Sequence, residues 1–146
     1  MLTIKPSRYG RGSDLIVATP PAPLAASALV TPTKTFLGQP VFDLGLALED
    51  DDLAQLRTAA LAAFGAAFPE ATGTPRLPIR PAQGRPLLWV ETMKRPVCLD
   101  AADQPIEPPL VGASVRLLFR LCPWNRSPDR CGVGAYLVKL KTAPTP

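Results

Sequence analysis

The sequence predicts a mainly β fold: a small, partly open β-barrel with one α-helix. Three observations predict it. Runs of alternating apolar and polar residues recur along the 146-residue chain. A single stretch has helical periodicity behind an acidic start, and nineteen prolines punctuate the rest. Each proline removes a backbone donor and favours extended or turn geometry, so short strands joined by stiff loops are expected. A mostly antiparallel sheet of so few strands has to curl or be covered to avoid open edges, and a partly open barrel is one way to do so. An apolar fraction of 47% suits one compact core, since a disordered chain cannot bury enough apolar surface to offset the entropy of ordering.

Residues 1–26 mix Lys5, Arg8 and Arg11 with two glycines and four prolines, and the expectation is a flexible basic arm preceding a domain over 27–146. Residues 29–36 are rich in Val and Thr and read as a strand, followed by a turn at Gly38 to Pro40. In 41–48 Phe42, Leu44, Leu46 and Leu48 fall on one face, so Phe42 is expected in the core. Asp50, Asp51 and Asp52 then open a helix, where carboxylates meet exposed amides and the positive end of the dipole. Leu53, Leu56, Ala60, Phe64 and Phe68 give that helix a buried stripe, and Pro69 ends it. Residues 71–86 read as a loop whose Arg76, Arg80 and Arg85 point to solvent. Strands follow over 86–93, briefly over 95–100, and over 110–121, where Arg116 and Arg120 share the face opposite Val115, Leu117, Phe119 and Leu121. A long basic loop with Trp124 at its tip then leads into a closing strand over 132–141.

Charge divides the chain. Up to residue 75 it carries five basic and seven acidic residues, and from residue 76 eleven basic and five acidic, so the second half is where a polyanion is expected to bind. Histidine is absent and the cysteines are three, Cys98, Cys122 and Cys131, which excludes the usual structural zinc sets within one chain. An odd cysteine count and no recognisable leader favour a reducing cytoplasm. A bridge between Cys122 and Cys131 stays open beside the reading of free buried thiols. The most apolar stretch, 59–68, is too short for the roughly 20 residues of a bilayer span. Without histidine, base catalysis would fall to carboxylates or lysine. The aspartate triplet is better explained as a helix start, and neither a phosphate-binding glycine loop nor a Gly-x-Ser-x-Gly elbow occurs.

The segments RPVCLDAADQPI (95–106), VGASVR (111–116), PWN (123–125) and CGVGAYLVKL (131–140) carry a resemblance in their order and spacing. Together they resemble phage single-stranded-DNA-binding proteins, over roughly residues 28–141. The resemblance implies an OB-fold, OB-like and partly open, that covers single-stranded DNA in replication or recombination in the host cytoplasm, without cofactor or catalysis. Two departures stand out: Ala102-Asp103-Gln104 where the family often has glycine, and a KLKTAPTP end (139–146) in place of an acidic partner-recruiting tail.

Non-specific binding of a single strand needs cations for the phosphates and aromatic faces for the bases. The candidates are Arg85, Trp89, Lys94, Arg95, Arg116, Arg120, Trp124, Arg126, Arg130, Tyr136, Lys139 and Lys141. Stacking and packing are both open for Trp124 and Tyr136, Tyr136 being placed on the pleat face opposite Lys139. Trp89, among Leu87, Leu88 and Val90, is the aromatic whose neighbours favour the core. Duplex DNA as a second partner, and self-association, are left open. So are two other classes: a virion or tail β-domain, and a Mg²⁺-dependent nuclease built on the acidic cluster.

Overall fold

The computed structural model describes residues 1–7, 12–32 and 34–144. Among them run β1 (Thr3–Pro6), β2 (Leu15–Ala18), β3 (Ala22–Ala28), β4 (Lys34–Phe36) and β5 (Gln39–Leu46), then α1 (Asp50–Ala67). After the helix come β6 (Ile79–Ala82), β7 (Arg85–Thr92), β8 (Cys98–Leu99), β9 (Pro105–Ile106), β10 (Ser114–Ser127) and β11 (Arg130–Thr142). The sheet order β10-β3-β5-β7-β11, with β11 pairing back to β10, forms a ring. Numbered along the chain, these five strands lie in the order 1-2-3-5-4, and all their pairings are antiparallel except β7 with β11. The ring is OB-like and partly open, because β3 meets β10 through two residue pairs and β7 meets β11 through one, Glu91 with Tyr136.

Alternation fills the interior. Phe42, Leu44, Leu46 and Leu48 are all buried, as are Val115, Leu117, Phe119 and Leu121 of β10, with Phe119 at 0% exposure. The helix begins where expected: Asp50, Asp51 and Asp52 form its first turn, and the Leu53 amide donates to the Glu49 carbonyl at 3.0 Å. Leu53, Leu56, Ala60 and Phe64 are buried, and Phe64 meets Phe68 with ring centroids 5.4 Å apart. This stripe packs on β10 and β11. Gln55 holds the start of the chain against the helix, its amide accepting from the Leu2 N–H and donating to the Leu2 carbonyl, both at 3.1 Å.

Several expectations differ from what is observed. The first 26 residues hold β1, β2 and most of β3, with Leu2, Val17, Ala22 and Leu24 in the core. Composition pointed to an arm because short β-strands rich in Ala and Pro carry little apolar periodicity. Arg8 and Arg11 lie outside the described residues. In the strand expected over 29–36, residues 29–31 are a bend that follows the end of β3 and only the short β4 is strand, while the one over 95–100 shrinks to Cys98–Leu99. The largest correction concerns the closing hairpin. Strands β10 and β11 run on through Trp124 to a tight turn at Pro128 and Asp129, so Trp124 is a strand residue opposite Gly132 and not the tip of a loop. The three cysteines, all among the described residues, are not joined in a disulfide. Cys131 belongs to the core, whereas Cys122 lies on the half-exposed face opposite Gly134, so the sheet stands between them.

Candidate nucleic-acid interface

The outer face of the ring carries Trp89, Trp124 and Tyr136. On β7 Leu88 and Val90 point inward, which turns Trp89 and Glu91 outward; on β10 Leu121 and Pro123 are buried and Trp124 is half-exposed. Trp89 is therefore half-exposed too, although its apolar neighbours favoured the core, because strand alternation outweighs local hydrophobicity. Trp89 and Trp124 line one cleft of about 290 Å³ together with Arg76, Arg80, Asp43, Glu91 and Gly134.

The cleft is held in shape. The Trp89 indole N–H donates to the Arg80 carbonyl at 3.1 Å, and the Arg80 guanidinium stands 4.9 Å from the ring centroid, a cation–π contact. Trp89 lies beside Gly45, directly opposite it on β5, where an added Cβ would come within 3.4 Å of the indole. Arg76 is fixed by its backbone, its N–H donating to the Cys131 carbonyl at 2.9 Å and its carbonyl accepting from the Val133 N–H at 2.8 Å. Arg76 and Arg80 were read only as solvent-facing loop residues, and both are indeed exposed. The signal that would have found them is the Gln83-Gly84 turn, which pairs β6 with β7 and folds Arg80 back over Trp89.

A second depression of about 380 Å³ adjoins the first through Glu91 and is lined by Phe36, Val41, Thr92, Met93 and Tyr136. Tyr136 is 37% exposed, with its hydroxyl end over Gly134, where an added Cβ would come within 2.5 Å of the phenol oxygen. Burial raises the Tyr136 pKa above its ordinary value, Glu91 adds to the rise, and Arg120, opposite on β10, works against it. Tyr136 is therefore a neutral phenol at physiological pH. A third depression shares Thr92 with the second and brings together Lys94, Arg95 and Lys139. The three depressions form a continuous track along β7 and on past its end, from Trp89 to Arg95. This track follows the face of ring strands two and three, the surface on which OB-folds bind oligonucleotides.

Other candidates fall off the track. Arg85 is exposed at the far end of β7, and Arg126 and Arg130 are exposed at the β10–β11 tip. Arg116 is directly opposite Lys141. A bulge at Val138 shifts the register, with Phe119 opposite Leu137 and Leu118 opposite Lys139. It places Tyr136 and Lys139 on the same face, not on opposite ones as simple alternation implied. Lys139 and Lys141 both reach Asp103, at 3.5 and 2.9 Å. The hydrogen bond from Lys141, its charge and that of Lys139 hold the Asp103 carboxyl below its usual range. Asp103 has a φ of 63°, the left-handed conformation that glycine adopts most readily, and the turn is closed by Asp100 Oδ1 accepting from the amides of Ala102 and Gln104. Among the described residues no group of three potential ligands could hold a metal ion, and no helix is long and apolar enough to cross a membrane.

No protein-family model and no curated protein matches the sequence. Solved structures do. The C-terminally truncated single-stranded DNA-binding protein of bacteriophage Enc34 superposes with a TM-score of 0.69 at 12% identity, over 99% of this chain and 96% of that one. The same protein in complex with single-stranded DNA gives 0.66 at 13% identity, over 97% and 95%. The single-stranded DNA-binding protein gp2.5 of bacteriophage T7 gives 0.65 at 12% identity, over 87% and 90%. The chain thus shares, over nearly its whole length, the fold of phage single-stranded DNA-binding proteins.

Proposed function

We propose that this protein binds single-stranded DNA with little dependence on sequence in phage replication or recombination, acts in the host cytoplasm and carries out no chemistry of its own. The observation that carries the reading is the continuous track along β7, where Trp89, Trp124 and Tyr136 offer faces to bases and Arg76, Arg80, Lys94, Arg95 and Lys139 stand beside them. Stacking is tolerant of sequence because every base has a π face, and the cations take the phosphates. The Enc34 protein, whose fold this chain shares, is seen bound to single-stranded DNA. Asp50, Asp51 and Asp52, the basis of a nuclease reading, are engaged as the first turn of the helix.

Titrating a labelled oligonucleotide while following tryptophan emission tests the proposal. Binding that quenches emission and weakens steeply as salt is added is the expected result. Emission that stays constant at saturating oligonucleotide, with no mobility shift, overturns it.

A further inference from the structure

The middle depression of the track differs in chemistry from its two neighbours. Cations line the depressions on either side, Arg76 and Arg80 at the Trp89 end and Lys94, Arg95 and Lys139 at the other. Among the described residues no cation lines the middle one, where Phe36, Val41, Met93 and Tyr136 make an apolar and aromatic wall. It shares Glu91 with one neighbour and Thr92 with the other, so a strand whose phosphates meet both sets of cations passes over it. Such a wall offers nothing to a phosphate, but it can take the π face of a base.

Phe36 comes to this depression from a strand that lies off the ring. It ends β4 and pairs with Gln39 of β5 across a two-residue turn, Leu37-Gly38, whose φ angles of 51° and 80° are both left-handed. Glycine adopts that conformation freely, whereas a bulky leucine is an outlier there. The hairpin is thus built at a local cost, and what it presents is apolar: Phe36 is 47% and Leu37 88% exposed. Side chains left in water return little to folding, so a strained hairpin that holds them out points to a contact beyond the fold.

We infer that Phe36, carried on the β4–β5 hairpin, is a base-contacting residue. The middle depression receives one base of the strand, with Phe36 as a stacking face beside Tyr136 and Met93 as an adaptable apolar contact. The inference rests on the single-strand reading above and adds to it a residue and an element from the acidic half of the chain, where the charge distribution gave no sign of them.

The test titrates a thymidine oligomer, and an abasic oligomer of the same length, against the parent, Phe36→Ala and Phe36→Tyr at several salt concentrations. Phe36→Ala is expected to bind the thymidine oligomer roughly fivefold or more weakly than the parent with the same salt slope, because a stacking face is lost and no charge. Phe36→Tyr keeps a ring and is expected to bind like the parent. On the abasic oligomer the parent and Phe36→Ala are expected to bind alike. A Phe36→Ala protein with the parental unfolding midpoint that binds thymidine like the parent, or that loses as much on the abasic chain, overturns the inference while leaving single-strand binding intact. If it binds like the parent but sediments as a smaller species, the hairpin meets a second copy of the chain, and the inference is overturned as well. Cross-linking the parent to a bromodeoxyuridine oligomer needs no variant: adducts are expected at Phe36, and adducts confined to other segments overturn the inference. A parent that binds neither oligomer overturns the single-strand reading and this inference with it.

Discussion

At the scale of single residues, what matters is which face of a strand a side chain occupies. Trp124→Ala is expected to weaken single-strand binding by about 1–3 kcal/mol without changing its salt dependence, because it removes a stacking face and no charge. Arg80→Ala is expected to lower the salt slope by about 0.7, and a binding series over several salt concentrations separates the two effects. The alternation that carries these predictions was readable for Phe42, Arg116 and Arg120 from sequence. It misplaced Trp89, because Leu87, Leu88 and Val90 form an apolar run in which alternation does not show. It misplaced Tyr136 relative to Lys139 as well, since a bulge at Val138 inserts a residue that no composition signal marks.

At the scale of elements, the helix and the turn after β8 make separate contributions. Phe64→Ala is expected to cost roughly 3–5 kcal/mol in a denaturant melt, because Phe64 is 5% exposed in the stripe that α1 sets against β10 and β11. The helix was legible because its period, its acidic start and Pro69 agree. The 100–104 turn draws Lys139 and Lys141 onto Asp103, so both are already engaged within the folded chain. Asp103→Asn is expected to steepen the salt slope, each lysine freed for a phosphate adding about −0.7. Because folding lowers the Asp103 pKa, the stability from these bridges is present above the unfolded carboxylate value and lost as pH falls through the lower folded one. The Asp103→Asn protein should therefore show a shallower loss of stability in acid than the parent, read from melts across that range. The pairing itself was not legible, since β8 reaches β11 by a parallel contact between segments some forty residues apart.

At the scale of the whole molecule, the ring determines where the track runs. Four cations, Arg76, Arg80, Lys94 and Arg95, stand along it apart from the lysines held by Asp103, so the slope of log affinity against log salt is expected near about −3. Sequence order alone suggested a curled sheet, but ring closure depends on which distant strands meet, and no local pattern records that. The β10–β11 ladder spans the hairpin from Val115 to Ser127, whereas β7 joins β11 through one pair. Amides at that junction are expected to exchange with deuterated solvent well before those of the long hairpin. Trp89 stands on one side of the junction and Trp124 on the other. A regular ladder would lock its strands about 4.8 Å apart. Here one rung, Glu91 with Tyr136, is the whole of that clasp between β7 and β11.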